Sequence, residues 1–150
     1  MKSVPRGLIT AILIGMLAGL ILGFFVISQS NNEQLVFQEG YSISIVTEKI
    51  DFELGEQIYI KIVNSGTMPL TFSDSSYGLK ITGLDGRLHY TPITAQVIST
   101  LEPMDEKMFV WDQKKTDGSD SLEGRYKIVV EGFEHENNKV KKSIVINLLK

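Results

Sequence analysis

Two histidines, a run of carboxylates and a patch of serines are the residues here whose types suit chemistry. His135 stands in Glu134-His135-Glu136, beside a turn. Neighbouring residues of an extended chain point to opposite faces, so those three groups do not converge on one ion. His89 is the only other imidazole. The loop containing Asp112, Asp117, Asp120 and Glu123 offers clustered oxygens, and calcium takes about six to eight of them. Its spacing departs from the EF-hand pattern and Lys114 and Lys115 intrude, so a solvated loop is expected, with calcium as the alternative. Ser73, Ser75 and Ser76 lack a G-x-S-x-G elbow or an S-x-x-K partner. Neither a G-x-x-x-x-G-K-[ST] loop nor an H-E-x-x-H helix occurs. With no cysteine there is no disulfide, no lipid-modified thiol and no thiolate metal site. Asn64-Ser65-Gly66 fails as a glycosylation sequon at its third position. No catalytic, metal-ligating or cofactor-binding residue is expected, and the chain reads as a binder rather than an enzyme.

Whatever it binds, its position is set by Leu8 to Ile27, twenty residues without a charge. That length crosses a bilayer as a helix, the one form in which a lone apolar run satisfies its own backbone. Lys2 and Arg6 precede it, and no Lys or Arg follows until Lys49. The excess of positive charge before the span predicts a cytoplasmic N-terminus and an extracytoplasmic remainder. A cleaved secretory signal is the competing reading, but its apolar core is about 7–15 residues, and Val26-Ile27-Ser28 is a poor cleavage site. Either reading delivers the rest of the chain to the same side. Within the span Gly15, Gly19 and Gly23 recur every fourth residue, continuing from Gly7 and Ala11. Small residues at that spacing suit close helix packing, as a homodimer or against a partner helix, with lipid around the remainder. The competing reading is that glycine is simply common in membrane helices. Arg6-Gly7-Leu8 before an apolar helix also resembles the processing site of archaeal pilin-like and archaellum proteins, which implies an envelope structural component. Ile12 stands at the fifth mature position, where pilins carry an acidic residue.

All 18 acidic residues and 13 of the 15 basic ones lie beyond the span. That mildly acidic outer part argues against nucleic acid, whose phosphates need a basic face. The expected organisation is a cytoplasmic tail over 1–7, a transmembrane helix over 8–27, a connector over 28–38 and an extracytoplasmic domain over 39–150. The polar stretch from Ser28 to Gln34 spans at most about 25 Å, which keeps the domain close to the membrane.

In the outer part the apolar period is two. Tyr41, Ile43 and Ile45 alternate with serines, and Ile58, Ile60 and Ile62 share one face of the clearest strand. Phe52 to Glu56 reads as a turn. Asn64-Ser65-Gly66 turns the chain because Asn and Gly accept positive φ and Pro69 bars a helix just beyond. Short strands follow over 70–72 and 79–82, and Asp85-Gly86 closes a hairpin onto 87–90. The stretch 93–101 is ambiguous between strand and helix. Strands over 107–111, 125–131 and 140–148 complete the set, with Lys141 and Lys142 as edge-protecting charges. About eight short strands without an amphipathic helix predict an all-β fold, an antiparallel sandwich of immunoglobulin-like layout. Trp111 is expected in its core. Tyr126, just after Gly124, sits near a strand start as tyrosine-corner residues do.

The run VNSGTMPLTFSDSSYGLKITGLDG from Val63, the WDQ of Trp111 to Gln113, and Gly124-Arg125-Tyr126 together resemble the BsuPI family of intracellular proteinase inhibitors. The similarity covers about Phe52 to Val130. It implies an immunoglobulin-like sandwich that binds protein, a serine protease being one such partner. Arg87-Leu88-His89-Tyr90 replaces the aromatic-rich segment usual after the DG turn, and no inhibitory residue transfers. The expected function is a membrane-anchored module for an unidentified protein or envelope partner, with proteinase inhibition and pilin-like assembly as alternatives.

Overall fold

The computed structural model describes residues 15–17, 19, 35–135 and 138–150. The chain divides into two compact units, Met1–Glu33 and Gln34–Lys150. In the first unit the described residues Gly15, Met16, Leu17 and Gly19 are helical. Most of the expected span over 8–27, Gly23 included, lies outside the described residues. Among those described, no helix is long and apolar enough to cross a membrane.

The second unit is all-β. Its described residues form ten strands: β1 (Ile43–Thr47), β2 (Asp51–Glu53), β3 (Ile58–Asn64), β4 (Leu70–Phe72), β5 (Leu79–Gly83), β6 (Leu88–Tyr90), β7 (Ser99–Leu101), β8 (Glu106–Trp111), β9 (Gly124–Phe133) and β10 (Lys139–Leu149). A three-stranded sheet has the order β1-β3-β8. A larger sheet runs β2-β10-β9-β4-β7, with β5 pairing β9 beside β4 and β6 closing onto β5. The isoleucine alternation reaches its expected face, since Ile58, Ile60 and Ile62 are fully buried while Tyr59 between them is exposed. They pack with Ile45 and Trp111 of the small sheet against Phe72, Ile81, Ile128 and Ile146 of the large one.

Two local readings of the sequence change. Phe52 does not lie in a turn but at the centre of β2, where it is buried between exposed Asp51 and Glu53. One inward aromatic is too short a signal to show alternation, and the turn follows at Leu54-Gly55. The second change is direction. β2 runs parallel to β10, so the sandwich is not wholly antiparallel. After β1 the chain crosses to the other sheet and enters alongside β10, with Asn147 N donating to Ile50 O at 2.8 Å and Leu54 N to Leu149 O at 2.9 Å. The stretch 93–101 resolves into an irregular segment followed by the short strand β7.

Other turns follow the expected chemistry. At Asp85-Gly86, Gly86 N donates to Gly83 O at 3.0 Å and Gly86 takes φ +84°, the left-handed residue that closes a three-residue hairpin. Asp85 Oδ1 accepts from Arg87 N at 3.0 Å, an Asx-type bond that fixes the same corner. The β9–β10 pairing is antiparallel from Lys139↔Phe133 to Leu148↔Gly124. β10 meets β2 only over 147–149, so its first half is an edge, and Lys139, Lys141 and Lys142 lie along it.

Around Trp111 the aromatic residues form a post inside the sandwich. The indole is fully buried and donates from Nε1 to Lys114 O at 2.8 Å. Tyr126 meets it edge-on at 5.8 Å, Tyr90 stacks on it at 6.2 Å, and His89 packs edge-on to Tyr126 at 5.2 Å. Burial, with Asp112 as a further cause, raises the Tyr90 hydroxyl above its usual range. Tyr126 donates its hydroxyl to Leu122 O at 2.9 Å, four residues upstream, which is tyrosine-corner geometry.

Removing that hydroxyl in Tyr126→Phe is expected to cost about 1 kcal/mol, read from the urea midpoint. A second expectation concerns acid. The hydrogen bond from Lys139 Nζ, 2.9 Å away, is the main cause lowering the Glu131 carboxyl, with Lys80 and Lys141 adding to it. A lowered pKa contributes stability that is present above the unfolded value of about 4.3 and lost as pH falls through the folded one. Glu131→Gln should therefore lower the neutral plateau of a stability–pH curve, leave its most acidic end unchanged and so flatten the acid limb.

Candidate binding site

The end of the sandwich where the second unit begins is organised by Asn64, a polar residue with no solvent exposure. Its side chain meets three partners. Nδ2 donates to Met68 O at 2.9 Å and to Leu101 O at 2.8 Å, and Oδ1 accepts from Gly66 N at 3.0 Å. Its backbone adds two more, donating to Asp105 O and accepting from Met104 N, both at 3.0 Å. One side chain thus ties the 65–69 turn, β7 and the 102–105 turn together. A buried amide with its groups this fully paired holds a unique geometry, and an unpaired one would be costly.

Beside Asn64 the entering chain is laced onto the same turn. Gln38 N donates to Ser65 O at 2.8 Å, Thr67 N to Gly40 O at 2.8 Å, and Gly40 N to Thr67 Oγ1 at 2.9 Å. Ser44 donates its hydroxyl to Ser65 Oγ at 2.8 Å, with Ser42 Oγ a further 3.0 Å contact. Gly66 has to be glycine here. A Cβ on it would lie 2.2 Å from Gly40 O and 2.7 Å from Ser42 N, both backbone atoms that cannot give way.

These turns line an open cavity of about 780 Å³. Phe37, Pro103 and Met104 supply its apolar lining, completed by Gln38, Glu39 and the Ser65-Gly66-Thr67 turn. Phe37 is 56% exposed and Met104 73%, and Met68 nearby is also exposed. Met104 has φ +69° in a turn closed by Asp105 N donating to Glu102 O at 3.0 Å. Pro103 then Met104 is the pattern of a type II turn, whose third position favours glycine or asparagine. Met104 thus holds a left-handed conformation uncommon outside glycine, with its side chain exposed to solvent.

The other residues singled out from sequence are not gathered at this cavity. Asp85 and Gly86 form the β5–β6 hairpin, and Trp111, Gly124 and Tyr126 belong to the aromatic post. Pro69 leads into β4. In the acidic loop Asp112, Asp117 and Asp120 are engaged within the loop itself. Asp112 Oδ1 accepts from Lys114 N, Asp117 Oδ1 accepts from Ser119 N at 2.9 Å and Ser119 Oγ at 2.6 Å, and Lys114 pairs with Asp120 at 3.3 Å. The Ser119 hydroxyl is the main cause lowering the Asp117 carboxyl. Among the described residues no three His, Asp or Glu side chains come together as metal ligands. Glu136 lies outside the described residues. The backbone N–H of His135 donates to Tyr41 Oη at 3.4 Å. Ser75 donates to Ala95 O from both its amide and its hydroxyl, which ties the serine turn to the irregular 91–98 segment.

Gln113 is a residue that pattern reading missed. It is buried at φ +61°, donates from Nε2 to Glu53 O at 2.7 Å and accepts at Oε1 from Gly55 N at 2.9 Å. It staples the end of β8 to the turn after β2, and so joins the two sheets at the end away from Asn64. No local signal in the sequence announces such a contact.

Asn64→Ala should cost about 2 kcal/mol or more, because carbonyls of Met68 and Leu101 and the Gly66 amide lose their buried partner. Gly66→Ala should destabilise by a similar or larger amount through backbone collision. Met104→Gly should change stability by less than about 1 kcal/mol, since relief of the left-handed strain offsets the added freedom of the unfolded chain. Urea denaturation of the three variants checks the order.

No protein-family model matches this chain, and no curated protein does. Among solved structures it is similar to Spo0M, a sporulation control protein from Bacillus subtilis, with 13% identity and a TM-score of 0.40. That similarity covers 73% of this chain and 49% of Spo0M, so the chain spans about half the length of that protein.

Proposed function

We propose that this protein is a membrane-anchored, extracytoplasmic binding module whose sandwich engages another protein or an envelope component through the cavity beside Asn64. The observation that carries this reading is the exposed apolar wall of Phe37, Pro103 and Met104 around about 780 Å³, held on a rim of fully paired turns. Concave apolar surface framed by ordered backbone is what binding sites consist of, and an exposed left-handed methionine fits that use. The anchoring part rests on the apolar run 8–27 and the charge before it. In this reading the N-terminal tail is cytoplasmic, lipid surrounds the helix, and Gly15, Gly19 and Gly23 pack against a second helix. The layout of the sandwich is immunoglobulin-like, supported by the Tyr126 corner and the tryptophan post. No enzymatic role or cofactor is assigned.

The likeness to BsuPI proteins supports a protein partner, and inhibition of a serine protease is one form that partnership takes. Within the resembling runs, Asn64, Gln113 and Tyr126 all have structural tasks, so any inhibitory contact falls to other residues.

A photo-crosslinking residue placed at Phe37 of the full chain in whole cells should yield one discrete adduct, reduced by Met104→Asp. A ladder of non-specific products, or none, contradicts the reading. Unchanged rates across a panel of serine proteases would retire the inhibitory form alone.

A further inference from the structure

β8 is the outer strand of the three-stranded sheet. The bond from Asn64 N to Asp105 O sets the phase of its ladder with β3, in which Ile62 faces Lys107 and Ile60 faces Phe109. Hydrogen-bonded positions alternate along an antiparallel pair. Lys107, Phe109 and Trp111 therefore direct their N–H and C=O groups at β3, while Glu106, Met108 and Val110 direct theirs away. Among the described residues no backbone or side-chain group meets these outward groups.

Edges left in this state are usually defended by charge, as lysines defend the open half of β10. β8 opens with Glu106, paired with Lys61 at 3.0 Å, and Lys107, and then presents Met108, Phe109 and Val110 in succession. Its outer face continues the apolar character, since Met108, Val110 and the neighbouring Tyr59 are all exposed. Beside Val110 a groove of about 450 Å³ opens, lined by Tyr90, Thr91 and Ile93 together with Asp112, Lys114 and Lys115. Ile93 is 95% exposed. Lys107 and Lys115 form no ion pair among the described residues, the Lys107 ammonium lying over the Tyr77 ring at 5.7 Å, whereas Lys114 is held by Asp120.

We propose that the open edge of β8 is a strand-addition site for an extended segment of a partner polypeptide in which apolar residues alternate with acidic ones. Main-chain bonds to Met108 and Val110 would supply the affinity, as in other edge additions. Apolar side chains of the added strand fall beside Met108 and Val110 on the outer face, and the acidic ones alternate onto the opposite face, which Lys107 shares with Ile62. Its carboxylates meet Lys107 and Lys115. This surface is separate from the cavity at Phe37, and the inference rests on the protein being a binding module, not on that cavity being occupied.

The test uses the full chain in lipid nanodiscs and a display library of short random segments. Enriched segments are expected to alternate apolar residues with Asp or Glu. Their affinity should fall about tenfold or more in Val110→Pro, which removes an outward N–H where an edge strand tolerates proline, and should be unchanged in Phe37→Asp. Amide exchange gives a readout that needs no variant. In the free chain Met108 and Val110 should exchange quickly and Lys107 and Phe109 slowly, and a selected segment should slow Met108 and Val110 about tenfold or more. No enrichment, equal binding to Val110→Pro, or unaltered exchange at Met108 and Val110 would overturn the proposal. Binding lost in Phe37→Asp but kept in Val110→Pro would overturn it while leaving the cavity reading intact. A dimer of the chain that itself protects Met108 and Val110 would assign the edge to a second copy and likewise overturn the foreign strand.

Discussion

The buried amide of Asn64 is the constraint from which the binding end of this protein follows. Its three hydrogen bonds, with two more from the Asn64 backbone, reach the turn after β3, the end of β7 and the turn before β8. Those three segments come from both sheets, and apart from Leu101 they add no hydrophobic side chain to the core. A network paired this fully keeps them in one arrangement, which lets Phe37 and Met104 remain exposed without the surrounding loops collapsing over them. Gly66 contributes the other half of the constraint by letting the 40–42 backbone approach closer than any side chain would allow.

At the opposite end of β8 a second buried amide, Gln113, does comparable work between β8 and β2. The two amides hold the small sheet to the large one at its ends, and the isoleucine layer holds it in the middle. This division leaves the flank of β8 free of structural duty. An edge whose only charges are Glu106 and Lys107 at its start can persist there because the strand is fixed through β3 and through both its ends.

Much of the fold was legible because it is written in period two. The alternation of Ile58, Ile60 and Ile62 placed β3 and its buried face, and Asp85-Gly86 placed a hairpin whose glycine needs positive φ. β2 was not legible, because a three-residue strand with one inward Phe52 leaves no alternation to detect, and its parallel pairing with β10 depends on a contact about a hundred residues away in sequence. The candidate site was legible only in part. Asn64 and Gly66 were readable as turn formers, but the five bonds that make Asn64 a hub join segments far apart in the chain. Met104 and Phe37 carry no pattern at all, since their significance lies in exposure and in a backbone angle. Gln113 was visible as part of a family-like run, yet its task between the sheets required the fold.

The central claim is that the cavity rim belongs to the rigid body of the sandwich. Amide hydrogen exchange at Gly66 and Met104, whose N–H groups donate to the side chain and backbone of Asn64, measures this directly. Exchange as slow as that of the core amides of Ile60 and Ile128, and equally sensitive to denaturant, is the result expected if the rim opens only when the whole domain unfolds. Fast exchange at Gly66 and Met104 while the core stays protected would show a loose end with no preformed site.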